Sequence, residues 1–233
     1  MSRRGGIRSL IGFFVLVAAL VGTALPAHAQ WVRRETPRRG SFEASGGVFW
    51  TGGTDLANRA ATLTRNPSTG SNAFELFRSD ATLTSAIGLQ ARFGAYLSSS
   101  LSLEAGAQIG RPELQVRLTR DSEGAPDATA AESITSYVFT GSVVYHLRKA
   151  GRRMTPFVLA GAGHVRDLHQ GSDLVETGLE YHAGGGVKWW LGNKRRKLGL
   201  RGDVGVSARD GGVGADEDRR IVPSAAISLA YLF

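Results

Sequence analysis

The sequence predicts an all-β fold, a transmembrane antiparallel up-and-down β-barrel of about eight strands preceded by a signal peptide. Three observations support this prediction. Apolar residues alternate with small or polar residues in eight separate runs, which is the period of a β-strand. Helical periodicity is absent outside the first 29 residues. Charges lie on one face of the runs only, so one face suits lipid and the other suits an enclosed interior.

The N-terminal segment has the order of a secretory signal peptide. A basic start precedes an apolar run, and the segment ends on Ala27-His28-Ala29. This basic, apolar and A-x-A order is typical of export, here through the Sec pathway. We therefore predict a signal peptide over residues 1–29, a polar periplasmic lead-in over 30–40 and a barrel over 41–233. An uncleaved membrane anchor is the alternative interpretation of the first segment.

The composition argues against several classes of function. The chain has no cysteine, so disulfides cannot stabilise the exported protein. Its formal net charge of +8 is compatible with a polyanionic partner. The export signal argues against nucleic acid, and the basic residues lack the interleaved aromatics of a nucleic-acid platform. Many of the 31 glycines fall inside the strand-like runs, where they permit the sharp curvature of a small barrel.

The eight alternating runs are separated by connections of two kinds. The runs cover residues 42–50, 83–97, 101–109, 137–147, 157–165, 179–189, 198–208 and 225–233. Connections after odd-numbered runs tend to be long and polar, as at 52–80, 111–131 and 209–221, and those after even-numbered runs are short. Ten strands would result if TLTRNPSTGSNAFEL formed its own membrane hairpin. Its turn residues and its lack of a clean apolar face favour a loop.

The last run, AAISLAYLF, must be paired, because an open apolar edge would aggregate and cannot exist in lipid. Pairing with the first run, FEASGGVFW, would close the sheet. The same alternation would also suit a water-soluble sandwich with its apolar faces turned inward. The loop asymmetry, the even strand number and aromatic residues at strand ends favour the membrane barrel. The predicted aromatic girdle consists of Trp50, Tyr145, Trp189 and Tyr231.

The charged face predicts a network inside the barrel. The charges on the presumed lumen face are Glu43, Arg92, Glu104, Arg166, Glu180, Lys188, Arg201 and Asp203. A barrel of about eight strands is filled by side chains, and buried charges must be paired. We expect these residues to plug the lumen, with Glu104 or Glu180 as the partner of Arg201. A gated narrow pore is the alternative.

The sequence resembles the small eight-stranded outer-membrane barrels of Gram-negative bacteria, of the OmpA/OmpX type. The resemblance rests on the signal segment PAHAQ, the strand TPFVLAGAGHV and the terminal YLF. It implies a bacterial outer-membrane location and contact with outer-membrane lipid. It also implies that Tyr231 and Phe233 belong to a C-terminal signal read by the barrel-assembly machinery, after periplasmic chaperones have carried the chain.

One polar segment and two basic turns invite functional interpretations. The segment HVRDLHQGSD contains His164, Asp167, His169, Ser172 and Asp173. These residue types can form a metal site or a nucleophilic triad, but the segment lacks a dependable ligand spacing and any recognised catalytic motif, which favours polar loop residues. The basic turns near residues 148–153 and 194–197 would face the periplasm, as solvated turns or against anionic headgroups.

The sequence therefore predicts a protein that is not an enzyme and that needs no cofactor or metal. The expected role is structural or interactive, with loops displayed at the cell surface. A narrow channel for small solutes is the first alternative, and a lipid-modifying enzyme is the second.

Overall fold

The computed structural model describes residues 37, 39–63, 74–121, 125–147, 153–171, 174–191, 197–213 and 219–233. The predicted signal peptide and most of the lead-in lie outside these residues. These residues form eleven strands: β1 (Phe42–Thr51), β2 (Thr54–Leu63), β3 (Phe74–Leu83), β4 (Ala86–Tyr96), β5 (Leu101–Gly110), β6 (Glu113–Thr119), β7 (Ala128–His146), β8 (Met154–His169), β9 (Val175–Trp190), β10 (Leu198–Gly211) and β11 (Arg220–Leu232). No helix in the described part of the chain is long and apolar enough to cross a membrane.

Eight of these strands form a closed antiparallel barrel, as the sequence predicts. The order around the barrel is β1, β4, β5, β7, β8, β9, β10 and β11. β11 pairs with β1 from Glu43 opposite Leu232 to Thr51 opposite Ser224. The first and last strands thus satisfy each other's backbone groups, which leaves the barrel without an edge.

Three further strands correct the prediction of polar loops at 52–80 and 111–131. β2, β3 and β6 form a four-stranded sheet with residues 128–133 of β7, which continues the line of the barrel wall. We call these four segments the surface sheet. The sequence does not reveal these strands, because neither face of the sheet is covered by a core. Its strands therefore need no strict alternation of apolar and polar residues. The hairpin that could have raised the strand count to ten exists, but it pairs with β6 and not with the barrel strands.

Solvent exposure confirms the predicted faces on seven of the eight barrel strands. On those strands the large apolar residues of the predicted lipid face are exposed, for example Val48, Leu89, Leu103, Tyr145, Val187, Val204 and Ile227. The charged residues of the opposite face point into the lumen and are buried or partly buried. The outer wall therefore matches a hydrocarbon environment, and the interior is polar.

The eighth strand, β8, has the reverse orientation. Phe157 is 1% exposed and Val165 is 2% exposed, whereas Val158 is 45% exposed. In TPFVLAGAGHV both rows of alternating residues are small or apolar up to residue 163, so hydrophobicity does not distinguish the two faces. The space available in the lumen selects the inward face instead, because Phe157 fills the space beneath the lumen charges. Consequently Arg166 lies on the outer surface, and its prediction as a lumen residue is wrong.

Candidate functional site: the barrel lumen

The central layer of the lumen is built from six charged side chains on five strands. They are Glu43, Arg92, Glu104, Lys188, Arg201 and Asp203, three of each sign. Gly94 on β4 lies opposite both Glu43 and Glu104 in the ladders. A β-carbon at Gly94 would stand 3.1 Å from Cγ of Glu104. The bare glycine leaves room for two carboxylates to converge on the same point.

Lys188 is the cation at that point. Its Nζ lies 2.8 and 2.9 Å from the two carboxylate oxygens of Glu43 and 3.3 Å from Oε1 of Glu104. The hydroxyl of Tyr96 donates to Oε2 of Glu43 at 2.6 Å. Lys188 is only 1% exposed, so its charge depends on these partners and not on bulk water.

Arg201 continues the network toward the long-loop end. Its Nη1 lies 2.9 and 2.8 Å from the two oxygens of Glu104, and its Nε lies 3.2 Å from Oδ2 of Asp203. Arg92 holds the other side of Asp203 through two contacts of 3.1 and 3.0 Å. Signs alternate along this chain of contacts, so each charge faces an opposite one. Of the two carboxylates proposed for Arg201, the structure places Glu104 beside it.

Glu180 belongs to a second cluster nearer the loops. Its Oε2 accepts a 2.8 Å hydrogen bond from Nε of Arg209, and its Oε1 lies 3.8 Å from Nδ1 of His182. Nε2 of His182 lies 2.8 Å from the hydroxyl of Ser142. His182 reaches Ser142 across Gly161 of β8, where a β-carbon would stand 2.8 Å from Nε2 of His182. A small cavity of about 60 Å³ separates this cluster from the central layer.

Aromatic side chains fill the lumen beneath the central layer, at the end of the barrel with the short turns. Tyr96, His146, Phe157 and Trp190 are almost fully buried there. The rings of Tyr96 and His146 stack at 5.2 Å between centroids. The guanidinium of Arg201 lies 4.6 Å from the Phe157 centroid, a cation–π distance. We call these four residues the aromatic floor, because they separate the charged layer from the short-turn end.

Sequence reasoning missed several of these residues. His182 and Arg209 lie on the inward side of their strands, but the sequence predicts a loop from residue 209, and His182 stands among glycines and alanines. Tyr96 falls on the inward face of its run, among small, polar and charged residues. A tyrosine or histidine on the charged face of a barrel strand is the signal that would have found Tyr96 and His182.

The polar segment near residue 167 is divided between different environments. His164 is exposed on the outer wall, and Asp167 is buried on the inner side. Nδ1 and Nε2 of His169 each lie 3.1 Å from a carboxylate oxygen, of Glu132 and Glu176 respectively. Ser172 and Asp173 lie outside the described residues. Within the described part of the chain, no group of three or more His, Asp or Glu is arranged to hold a metal ion.

His169 lies beyond the apolar band of the barrel wall. Burial of the ring opposes its protonation, but the hydrogen bonds and negative charges of Glu132 and Glu176 outweigh that effect and raise the pKa of His169 above its ordinary value. The bond to His169 in turn lowers the pKa of Glu132. Protonated His169 therefore links β8 by hydrogen bonds to Glu132 of β7 and to Glu176 at the start of β9.

The four residues of the predicted girdle are all exposed on the outer wall. Trp50 lies near the long-loop end, whereas Tyr145, Trp189 and Tyr231 lie near the short turns. Phe233 donates its backbone N–H to the carbonyl of Phe42 at 2.8 Å. The guanidinium of Arg153 lies 5.9 Å from the Trp189 ring, and most other basic residues of the two turns lie outside the described residues.

No protein-family model matches the sequence, and no curated protein matches it significantly. Several solved structures do match it. The outer-membrane protein OprG from Pseudomonas aeruginosa has a TM-score of 0.53 at 13% identity, covering 85% of this chain and 98% of OprG. Ail, the attachment invasion locus protein of Yersinia pestis, has a TM-score of 0.45 at 11% identity, covering 84% of this chain and 99% of Ail. Together with the closed eight-stranded sheet, the match to OprG confirms that this chain has the fold of the small outer-membrane β-barrels.

Proposed function

We propose that this protein is a sealed outer-membrane barrel whose task is to hold the surface sheet at the cell surface. The observation that carries the proposal is the double closure of the lumen. Lys188 and Arg201 are each 1% exposed within the charged layer, and the aromatic floor lies beneath them. A solute would have to break the ion pairs and then displace packed rings.

The surface sheet supports an interactive role. Its residues 128–133 continue β7 outside the barrel, so the sheet is attached directly to a wall strand. Its two middle strands present exposed Phe77 and Leu118, and Arg117 forms an ion pair with Asp127 at 3.0 Å. Mixed apolar and charged exposure on an element attached to a barrel is typical of a recognition surface.

The edge of this sheet suggests how a partner would be bound. In the described part of the chain β2 pairs with β3 alone, so its other backbone edge is available to an added strand. Register shifts interrupt β2 between Asp55 and Ala57 and between Ala61 and Thr62. Such irregularities limit uncontrolled edge-to-edge pairing. We infer that β2 accepts a short extended segment of a partner protein.

The orientation follows from the loops. Bacterial barrels have short periplasmic turns and longer extracellular connections. The 97–101 connection therefore faces the periplasm and the surface sheet faces outward. During assembly, Tyr231 and Phe233 act as the C-terminal signal for the assembly machinery, and periplasmic chaperones carry the unfolded chain.

Single cysteines test location and orientation, because the chain contains none of its own. Asn58→Cys in the surface sheet should react with a membrane-impermeant maleimide on intact cells. Ser99→Cys in the short turn should react only after the outer membrane is permeabilised. Equal labelling of both variants on intact cells, or labelling of Ser99→Cys alone, would contradict the proposal.

A further inference from the structure

Two basic residues of β8 lie on the outer wall, at the upper limit of its apolar band. His164 faces Phe139 and Leu179 on the neighbouring strands. One step further out, Arg166 faces Tyr137 and Thr177. Both side chains are exposed. A cation on the lipid face is costly at the bilayer midplane and tolerated near the headgroups, so this level corresponds to the headgroup region.

A second arginine lies on the other side of β7. Ile109 of β5 is exposed and faces Tyr137. Arg111 follows two residues later and is also exposed, while Gly110 and Pro112 are buried, so Arg111 shares the outward face of Ile109. Neighbouring strands lie about 4.8 Å apart, which puts the strands of Arg111 and Arg166 about 10 Å apart with β7 between them. Arg111 also stands two residues, about 7 Å, further out than Arg166, because Ile109 and Arg166 both face Tyr137. Two long guanidinium side chains can span the resulting separation of roughly 12 Å around one phosphate group.

These basic side chains have no partner in the part of the chain that the structure describes. Among the described residues, none of the side chains of Arg111, His164 and Arg166 forms a hydrogen bond or an ion pair. The exposed carboxylates Glu113 and Asp210 are not paired with them either. In the lumen, by contrast, the charges of the central layer are matched. Unpaired arginines at headgroup depth on an outer wall favour the binding of an external anion.

We propose that Arg111 and Arg166, the rim cations, bind a phosphate group of the outer-leaflet glycolipid, lipopolysaccharide, with the ring of His164 beside them as a further hydrogen-bonding group. Guanidinium groups bind phosphate through paired, charge-assisted hydrogen bonds. Tyr137, which faces Arg166 in the ladder, packs against the sugar that carries the phosphate. Acyl chains of the same lipid run down the apolar wall past Phe139 and Leu179. The site rests on the proposed outer-membrane location, with the long connections outside.

The binding test uses the full folded protein in nanodiscs of neutral lipid. Bisphosphorylated lipid A, enzymatically dephosphorylated lipid A and inorganic phosphate are titrated separately, and binding is followed by the shift in thermal unfolding temperature. We expect bisphosphorylated lipid A to bind at least about tenfold more tightly than either other probe, which corresponds to the loss of one charged hydrogen-bonding partner. The double variant Arg111→Ala with Arg166→Ala should lose this preference.

Matched controls isolate the rim cations. Arg117→Ala removes an exposed arginine from the surface sheet, and Arg153→Ala removes one from the opposite end of the barrel; both should retain wild-type binding. Arg166→Lys keeps the charge and should bind with intermediate affinity. Equal binding of the dephosphorylated lipid would mean that acyl chains alone are recognised, and equal binding of inorganic phosphate would remove the glycolipid; either result would overturn the proposal. The nanodisc assay does not depend on the orientation of the protein in cells. An error in the proposed orientation would instead appear in the cysteine labelling of intact cells.

Discussion

Nη1 of Arg201 lies 2.9 and 2.8 Å from the two carboxylate oxygens of Glu104, across the lumen from β10 to β5. The same carboxylate accepts from Lys188 at 3.3 Å. One acid therefore joins two buried cations from different strands. The arrangement connects opposite walls of the barrel and closes its interior with the same contacts.

Arg201→Ala should destabilise the barrel strongly. Removing one member of a dry ion pair leaves the other charge buried, at a cost of about 3–5 kcal/mol. Urea titration of protein refolded in lipid vesicles measures the free energy of unfolding. The exposed arginine variant Arg117→Ala should change it by less than about 0.5 kcal/mol.

The partner of Arg201 can be tested with two double variants. Adding Glu104→Gln to Arg201→Ala should recover part of the lost stability, because it removes the negative charge that Arg201→Ala leaves in excess in the central layer. Adding Glu180→Gln should recover none, since Glu180 pairs with Arg209. Equal recovery in both double variants would show that Glu104 is not the specific partner.

Leu103 and Leu118 allow the lipid-facing assignment to be tested by making the same substitution at two sites, one predicted to face lipid and one predicted to face water. Both leucines are similarly exposed, at 47% and 41%, but Leu103 lies on the barrel wall and Leu118 in the surface sheet. Leu103→Arg should cost about 2–4 kcal/mol if it lies near the bilayer midplane. Leu118→Arg should be close to neutral, because water already solvates that position. Similar small effects at both sites would mean that the wall does not face hydrocarbon.

Ser102 is not a suitable inward counterpart for Leu103. Its side chain is 1% exposed and lies at the level of the aromatic floor, so Ser102→Arg would overpack the lumen. An added charge at an inward position should therefore be tolerated only in a layer of the lumen that has space for it.

His169 should make stability depend on pH near neutrality. Its pKa in the folded protein is raised above the ordinary value of 6.5 by Glu132 and Glu176, against the opposing effect of burial. The added stability is fully present below the unfolded pKa and is lost as the pH rises through the folded pKa. Unfolding titrations at a series of pH values from 5 to 9 should show this loss in the wild type and a smaller one in His169→Gln.

Gln170, the exposed neighbour of His169, provides the control for this experiment, because its side chain carries no titratable group. Gln170→Ala should keep the wild-type pH profile. If His169→Gln and wild type have superimposable profiles, the two carboxylates do not hold a protonated ring.

Deletion of Phe233 should reduce the assembly of the barrel in the outer membrane. Its N–H bonds to Phe42 and its ring packs on Tyr231 at 5.0 Å between centroids, so the residue also supports the closing strand pair. We expect less of the heat-modifiable folded band in outer membranes and more unfolded chain in the periplasm. Phe77→Ala in the surface sheet is the control and should assemble normally. Unchanged outer-membrane levels after the deletion would refute the role of the terminal residue in assembly.

The sequence was most informative where one face of a strand meets hydrocarbon. There the alternation must be clean, and it located eight strands, their closure and the inward position of the charges that form the central layer. It failed where neither face meets hydrocarbon or a core, which concealed β2, β3 and β6. It also failed on β8, where both rows are small or apolar and only the space beneath Lys188 and Arg201 selects Phe157 for the interior. Arg166 was misassigned for the same reason.

Planar-bilayer recording of the wild-type protein tests the sealed barrel most directly. Insertion is verified by recovery of the heat-modifiable folded form, and a known porin inserted in the same bilayer is the positive control. With the charged layer and the aromatic floor both intact, the protein should show no resolved conductance steps at neutral pH. Reproducible stepwise openings of the wild type, absent in a mock preparation, would contradict the sealed barrel and favour a narrow channel.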